Sequence, residues 1–463
     1  MTEASLLKRT TEHALSYLAS LDNRAVCATA SVAELRAALS RPLSETGVEP
    51  EQVIDELVRD VAGGLLASPS GRFFGWVIGG TLPAALAADW LASAWDQNAA
   101  IYACGPAAAV VEEVCGEWLK ELLGIPKAAS FALVTGCQMA HTTALAAARH
   151  KLLADRDWDV EQCGLIGAPP VRLLTTENRH ETLVRAVRLL GLGNAAIEHI
   201  GCENDGRMRM VDLDRALRGS TEMATIVCLQ AGDLHTGLYD PFADACSIAH
   251  GRGAWVHIDG AFGLWAATSD RLRHFLTGAE LADSWATDAH KWLNVPYDCG
   301  LVFVAQAKAH RAAMEQSASY RIWVGDARDQ VDWNPEWSRR ARAFPVYAAI
   351  RSLGRRGIAE LIERCCQHAQ RLVTEIGALP GAEVVAMPQI NQGLVRFLSP
   401  DGDHDRHTDA IIEAVRAKGV AWFGGTSWHD KRVMRVSVCN WRTTDRDIDR
   451  ATDSVREVLT GSA

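Results

Sequence analysis

The fold is decided by residues 255–304, which read WVHIDGAFGLWAATSDRLRHFLTGAELADSWATDAHKWLNVPYDCGLVFV. Three β-rich runs lie in or at the edge of this stretch, at 254–258, 281–286 and 300–304. Upstream, the runs 130–134, 171–174 and 224–229 are each followed by a helical stretch. Alternation of strands and helices predicts an α/β fold whose mostly parallel sheet has helices on both faces.

The segments on either side of this α/β region have different patterns. Residues 7–22 and 50–67 show helical spacing with few strand signals, which predicts an N-terminal helical arm. After a long helix at 344–372, alternating strand and helix signals predict a small α+β unit. We therefore expect three parts that pack into one unit. They are an arm at 1–80, a large domain at 81–347 and a small domain at 348–463.

Composition limits the class of protein. The 463 residues are 48% hydrophobic and 22% charged, which excludes disorder. A net charge of −10 argues against binding to nucleic acid or to an anionic membrane. The longest apolar stretch, 99–111, is too short and too interrupted to span a bilayer. The first residues lack the apolar run of a signal peptide, and no CxxC pair occurs among twelve cysteines, so we expect a cytoplasmic protein with reduced thiols.

Polar residues follow several predicted strands, where ligands bind in such sheets. Lys291 lies among apolar residues and is either a snorkelling lysine or a Schiff-base lysine. Asp259 either caps a helix or pairs with the ring nitrogen of pyridoxal phosphate (PLP). His180 either caps a helix or stacks on a cofactor ring.

The turn from Thr135 to Gln138 joins a strand to an Ala-rich helix. A helix N-terminus at this turn suits a phosphate group. The turn has neither GxGxxG nor GxxxxGK[ST], which disfavours the Rossmann and Walker types of nucleotide site. No HExxH motif or close Cys/His cluster occurs, so we expect no metal.

The order of these features along the chain is specific: phosphate turn, histidine, aspartate and lysine. With the segments at 255–304, 337–357 and 434–449, it resembles the group II PLP-dependent amino acid decarboxylases, the family of aromatic-L-amino-acid decarboxylase. The resemblance implies the fold type I of PLP-dependent transferases. That fold has a seven-stranded, mostly parallel sheet in the large domain, a helical arm and a small α+β domain. It also implies a homodimer with shared active sites.

The resemblance further implies a role for each matching residue. Lys291 would hold PLP as an internal aldimine, Asp259 would pair with the pyridine nitrogen, and His180 would stack on the ring. Ala261 would lie beneath the ring. The remaining cofactor-binding residues, placed around the phosphate, would be Gly136, Cys137, Gln138, Asp288 and His290. The substrate pocket would be formed by Trp76, Ile78 and Tyr102, some of them serving the neighbouring subunit. These apolar walls favour decarboxylation of an aromatic or apolar L-amino acid through a quinonoid intermediate.

Three departures from the family pattern matter. The family turn often reads Ser-Gly-Gly-Thr-Glu-Ala-Asn, whereas here it reads Thr135-Gly136-Cys137-Gln138-Met139-Ala140-His141, without a hydroxyl at Gln138. Asp288 replaces a family Asn near the phosphate, and we expect it to bind through its backbone or to point away. Gln330 takes the place of a loop Tyr that donates a proton, and Tyr320 is the nearby substitute.

Loss of the Tyr leaves other reactions open. The alternatives are an aldehyde product, through oxidative deamination, or carbon–carbon bond formation in a biosynthetic pathway. A binding protein without turnover is a further hypothesis, which the joint presence of Lys291, Asp259 and His180 disfavours.

Overall fold

The structure is a computed structural model that describes residues 2–219, 223–316, 318–319 and 321–461. Its α-helices are α1 (Glu3–Ser20), α2 (Val32–Leu39), α3 (Pro50–Val61), α4 (Pro83–Trp95), α5 (Pro106–Leu123), α6 (Cys137–Ala154), α7 (Val160–Cys163), α8 (Glu181–Leu189), α9 (Met210–Arg218), α10 (Phe242–His250), α11 (Ala307–Met314), α12 (Ala343–Gly377), α13 (His404–Lys418) and α14 (Asp445–Gly461). Its strands are β1 (Ser130–Val134), β2 (Val171–Thr175), β3 (Ile197–His199), β4 (Ala224–Gln230), β5 (Trp255–Asp259), β6 (Ser284–Asp288), β7 (Gly300–Val304), β8 (Ala382–Ala386), β9 (Gln392–Phe397), β10 (Gly424–Trp428) and β11 (Lys431–Ser437).

The large sheet has seven strands in the order β1-β7-β6-β5-β4-β2-β3. Only β7 runs antiparallel to its neighbours among these described strands, which confirms the predicted mostly parallel sheet. Most of the strands are buried along their whole length because both faces are covered. In β1, Phe131 and Leu133 belong to the core on one face, and Ala132 and Val134 belong to the core on the other.

A second sheet forms the small α+β unit that the sequence predicts. Its four strands are antiparallel, in the order β10-β11-β9-β8. Helices α12 and α13 pack on it, and α14 packs on these two helices. Helix α12 runs through the proposed boundary at residue 347, with a non-helical residue at Gly354, where φ is +62°. The three-part division itself stays a prediction.

The N-terminal arm is helical, as expected, and is attached to the rest of the chain mainly through residues 67–82. The ring of Phe73 stacks on Trp422 with centroids 4.9 Å apart, and Phe74 N donates to the Trp422 carbonyl at 2.9 Å. Helices α1, α2 and α3 contain no buried residue. Within the described ranges, no helix combines the length and the apolar character needed to cross a bilayer.

Candidate active site

Two neighbouring strands bring acidic side chains to one edge of the sheet. Asp259 is the last residue of β5 and Asp288 is the last residue of β6. Ala261 connects them, since its N–H donates to Asp259 Oδ1 at 3.1 Å and its carbonyl accepts from Asp288 N at 3.0 Å. The structure therefore brings three of the predicted site residues together at the carboxyl ends of parallel strands, where ligands bind in α/β sheets.

Lys291 follows β6 and forms an ion pair with Asp288, with Nζ and Oδ2 3.0 Å apart. Burial lowers the pKa of the Lys291 amine, but the neighbouring acidic groups, Asp288 first among them, together outweigh it and hold this pKa above its usual value. The arm approaches from the other side: a Cβ on Gly79 would lie 1.9 Å from the Lys291 carbonyl oxygen. Gly80 N also donates to Asn294 Oδ1 at 2.7 Å. Segment 76–80 therefore packs directly against the backbone that carries the lysine.

The predicted phosphate turn is itself the start of a helix. Gly136 is the N-cap of α6, which begins at Cys137, and as a glycine it has no side chain of its own to cap the helix. Strand β7 comes so close that a Cβ on Gly300 would lie 2.4 Å from the Gly136 carbonyl carbon. A helix N-terminus carries N–H groups that have no partner within the helix and a positive dipole end, and both attract an anion.

Asp288 points into this site, so the expectation that it turns away is wrong. Its Oδ1 accepts from Cys137 N at 2.6 Å and lies 3.5 Å from His290 Nε2, while its Oδ2 pairs with Lys291. The physical reason is that donors from the helix, the imidazole and the amine surround the same small space. A phosphate group would meet those donors as well.

His290 lies beside Asp288 and is oriented by the backbone. Cys299 N donates to His290 Nδ1 at 3.1 Å, which leaves Nε2 toward Asp288. Desolvation lowers the pKa of His290. The ring of Tyr297, which sequence reasoning missed, packs against His290 with centroids 4.3 Å apart. Desolvation raises the pKa of the Tyr297 phenol to about 12, with the Lys291 charge acting in the opposite direction.

His180 takes the capping role of the two that the sequence left open, and its stacking on a cofactor ring stays a prediction. It is the N-cap of α8, where its Nδ1 accepts from Thr182 N at 3.2 Å. Its pKa is lowered chiefly by desolvation and further by the charges of Lys291 and His141, with Asp259 opposing. The side chain is therefore close enough to sense the same charges that form the rest of the site.

The three predicted pocket residues do not lie together. Trp76 is 52% exposed, and its ring packs on Trp422 with centroids 4.2 Å apart. Ile78 is half-buried and packs on the same cluster of side chains, beside Gly79. Tyr102 has a different neighbourhood, because its N–H donates to Asp329 Oδ1 at 2.7 Å in the segment before α12.

Gln330 is fully buried, and its contacts are with the protein interior. Its Nε2 donates to the Ala109 carbonyl of α5 at 3.4 Å, and its own carbonyl accepts from Asn334 Nδ2 at 2.8 Å. These contacts hold Gln330 against α5 and against Asn334 of its own segment, because the chain folds back onto the large domain here. Tyr320, the substitute that the sequence suggested, lies outside the described residues.

Sequence reasoning also missed three charged or polar groups. His141 Nε2 lies 3.4 Å from Asp259 Oδ2, and its Nδ1 lies 2.9 Å from His257 Nε2. Arg435, on β11, is buried, donates to the Leu234 carbonyl at 3.2 Å and helps to lower the pKa of His180. A usable signal existed for His257, which shares a face of β5 with Asp259 because side chains alternate along a strand.

Cys137, His141 and Asp259 present atoms within 4.8 Å of one another, a spacing that would suit a metal ion. However, a cysteine binds metal as a thiolate. Burial, followed by the charge of Asp259, raises the pKa of the Cys137 thiol well above its ordinary value. The protonated thiol favours a hydrogen-bonded cluster, with Cys137 Sγ 3.4 Å from His141 Nε2.

The chemistry of these side chains fits PLP. An amine for its aldehyde is present at Lys291, and a buried carboxylate for its ring nitrogen is present at Asp259. The start of α6, whose first N–H already binds the anionic Asp288, and His290 offer donors to a phosphate. The aldehyde, the ring nitrogen and the phosphate of the cofactor therefore each have a matching partner at one edge of the sheet.

Comparison with known proteins also points to a PLP-dependent protein. The Pyridoxal-dependent decarboxylase conserved domain matches residues 34–399. The aromatic-L-amino-acid decarboxylase of Bacillus atrophaeus is 25% identical over 430 residues, which cover 89% of this chain and 86% of that protein. The 4-hydroxyphenylacetaldehyde synthase of Rhodiola rosea is 24% identical over 419 residues, 89% of this chain and 85% of that protein.

Among solved structures, the crystal structure of Oryza sativa TDC with PLP and tryptamine superposes with a TM-score of 0.93. The match covers 99% of this chain and 98% of that chain at 22% identity, so it supports the fold. Together with the site geometry, the domain match shows that this chain belongs to the pyridoxal-dependent decarboxylase family and is a PLP-dependent amino acid decarboxylase of fold type I.

Proposed function

We propose that this chain decarboxylates an aromatic or apolar L-amino acid. The observation that carries the proposal is the exposed side chain of Trp76, three residues before Gly79, whose backbone packs against the carbonyl of Lys291. The ring of Trp76 packs on Trp422, and half-buried Ile78 adds to the same apolar surface. The similarity to an aromatic-L-amino-acid decarboxylase supports the same substrate class.

The roles of the chain's own residues follow from their positions. Bound PLP supplies an electron sink for the pair released when the Cα–carboxylate bond breaks. Lys291 would hold the cofactor through its amine, and Asp259 would keep a negative charge beside the ring nitrogen. The start of α6 would bind the phosphate. Trp76 and Ile78 would orient the substrate side chain and exclude water from it.

The test is a substrate panel. Purified protein with PLP is incubated with each of the twenty amino acids, and CO2 and amine are measured, with Lys291→Ala as the inactive control. The proposal expects CO2 from aromatic or apolar substrates only. Release from glutamate or aspartate alone would overturn the substrate class, and Arg435 would then be the first residue to examine as a carboxylate partner. No release from any amino acid would overturn the reaction.

Aldehyde formation is the second candidate, favoured by Gln330 at the position of the family Tyr and by similarity to an aldehyde synthase. Tyr297 supports the amine outcome instead, because its phenol lies against His290 and keeps its proton at neutral pH. The two are separated by following oxygen, peroxide and ammonia along with CO2. One amine per CO2 without oxygen uptake excludes the aldehyde.

We also propose a homodimer with shared sites. Helices α1 and α3 leave Leu7, Leu15 and Leu57 about half exposed, although an amphipathic helix normally buries its apolar face. The apolar residues at 322–324 are exposed as well. A partner subunit would cover these surfaces, and Tyr102 would serve the partner's site. Sedimentation should show a dimer that Leu15→Glu dissociates, whereas Ile166→Glu, on an exposed loop, leaves it intact. A monomeric wild type would contradict the proposal.

The division into an arm at 1–80, a large domain at 81–347 and a small domain at 348–463 is proposed as one catalytic unit. The close packing of Gly79, in the arm, against the backbone of Lys291, in the large domain, supports this. We propose a cytoplasmic location, which the twelve free cysteines, all within the described residues, support. Limited proteolysis and cell fractionation test these two points.

A further inference from the structure

A row of buried side chains, contributed by α6, β5 and β6, ends at the carboxylate of Asp259. His141 Nε2 lies 3.4 Å from Asp259 Oδ2, and His141 Nδ1 lies 2.9 Å from His257 Nε2. The row continues from His257 Nδ1 to Ser284 Oγ at 2.9 Å, and Trp255 Nε1 donates to the same hydroxyl at 2.8 Å. All of these side chains are buried, so no bulk water competes for their hydrogen bonds.

The proton positions along the row follow from its end. Burial, and then the neighbouring His141, lowers the pKa of His257 to about 3, so this ring is neutral and carries one proton. If that proton is on Nε2, it is donated to His141 Nδ1, and His141 must carry its own proton on Nε2. If it is on Nδ1, it is donated to Ser284, and His141 Nδ1 must donate to His257.

The second arrangement leaves His141 Nε2 either protonated or with a lone pair directed at a carboxylate. A lone pair facing Asp259 Oδ2 at 3.4 Å is repulsive. The Cys137 thiol lies 3.4 Å from the same nitrogen and 3.9 Å from Asp259 Oδ1, and the charged carboxylate is the stronger acceptor for its proton, so the thiol does not offset this repulsion. Both favourable arrangements therefore place a proton on His141 Nε2, facing Asp259.

Asp259 is thus held from two sides. Its Oδ1 accepts from Ala261 N at 3.1 Å, and its Oδ2 faces the imidazole. Burial alone raises the pKa of Asp259, but His141 in the first place, with His180 and Lys291, holds this pKa well below its usual range. The carboxylate remains ionised although it is buried.

We propose that His141 is a positioning residue of the active site, whose Nε2–H fixes the ionised Asp259 carboxylate so that the ring nitrogen of bound PLP keeps its proton. An electron-poor ring nitrogen is what the cofactor chemistry needs. The proposal rests on the proposed function, since it requires PLP at this site. The family turn often has Asn where this chain has His141, so the arrangement departs from the family pattern.

The experiment uses PLP labelled with ¹⁵N in its pyridine ring, bound to the full chain. The ¹⁵N chemical shift reports protonation of the ring nitrogen, and a titration gives the dissociation constant. We compare wild type with His141→Leu, which removes the donor, and His141→Gln, which keeps an N–H donor. His310→Gln is the matched control, because His310 is equally buried but bonded to Ser130 and Trp333.

The proposal expects a protonated shift in wild type, His141→Gln and His310→Gln. In His141→Leu we expect a shift toward the unprotonated nitrogen and binding of PLP that is weaker by about tenfold, the effect of one pKa unit on a binding group. A His141→Leu variant with the shift and affinity of wild type would overturn it.

A measurement on wild type alone guards against misfolding of His141→Leu. In protein labelled with ¹⁵N-histidine, the His141 signal should show a protonated Nε2, and an unprotonated Nε2 would overturn the proposal. Failure of the proposed function is distinguishable, because wild type would then bind no PLP at all. Equal binding by wild type and His141→Leu contradicts only the role of His141.

Discussion

The carboxylate of Asp288 lies 3.0 Å from the amine of Lys291 and accepts a hydrogen bond from the first N–H of α6. One carboxylate therefore connects the lysine that would hold the aldehyde with the helix end that would hold the phosphate. The donors of the site are therefore already arranged around a negative charge, that of the Asp288 carboxylate. Binding of PLP has to exchange these contacts for contacts with the cofactor.

Replacing Asp288 by Asn should tighten PLP binding. The amide still accepts from Cys137 N, but it removes a negative charge beside the phosphate and releases Lys291 from its ion pair. We expect the dissociation constant to fall about tenfold, or about 1.4 kcal/mol, as measured by titration of the cofactor absorbance. Asp298→Asn, whose carboxylate pairs with Arg342, is the control and should bind like wild type. Equal or weaker binding by Asp288→Asn would contradict the reading of this contact.

Replacing Asp259 by Asn should slow turnover and leave the fold intact. Asn keeps the shape and the contact with Ala261 N, but it removes the charge beside the ring nitrogen. We expect kcat to fall roughly a hundredfold, the scale of losing one electrostatic group in an active site. Steady-state kinetics with a melting curve checks this. A variant with unchanged kcat would show that Asp259 is not the partner of the ring nitrogen.

Replacing Tyr297 by Phe should change the product ratio. The ring of Tyr297 packs on His290 with centroids 4.3 Å apart, and a tyrosine phenol carries its proton at neutral pH and is able to donate it. Without it, we expect less amine and more oxygen uptake per CO2, while PLP binding is unchanged. Tyr347→Phe, where the ring stacks on Trp118 away from the lysine, should keep the wild-type ratio. An unchanged ratio in Tyr297→Phe excludes this phenol as the proton donor.

Two buried histidines should make the protein less stable in acid. Burial lowers the pKa of His257 and of His310 from 6.5 to about 3. Between these values the unfolded chain binds more protons than the folded chain, so the free energy of unfolding falls as the pH falls below 6.5. The limit is about 1.4 kcal/mol per pH unit for each histidine, and above pH 7 their contribution is constant.

Urea unfolding between pH 4 and 8 measures this slope. His310→Gln, which keeps polar contacts to Ser130 and Trp333, should show a shallower decline than wild type. Parallel curves for the two proteins would show that His310 does not titrate in this way.

The sequence predicts the centre of the fold well because that centre is built from local signals. Strands such as β1, β4 and β7 are buried along their length, and their apolar runs mark them directly. The three-residue strand β3 and the half-exposed strands β8 and β10 give no such run, and they were missed. Their pairing depends on neighbours distant in sequence.

The site was predictable as far as single residues carry chemistry. Lys291, Asp259 and the turn at Gly136 were found because they follow strands in a specific order. The direction of the Asp288 side chain was not, because it depends on donors that three separate segments bring together. The same holds for His141, whose meaning appears only when α6 lies against β5. Gln330 is a further case. The family pattern indicated which residue it replaces, but not that its side chain is buried against α5.

The central claim is that Lys291 of this chain binds PLP covalently. Mapping the attachment site tests this claim most directly. The protein is incubated with PLP, reduced with borohydride and digested, and the peptides are analysed by mass spectrometry. The account predicts one modified lysine, Lys291, in the peptide that contains Trp292, and no modification there in Lys291→Ala. A cofactor attached to another lysine, or no attachment at all, would contradict the account.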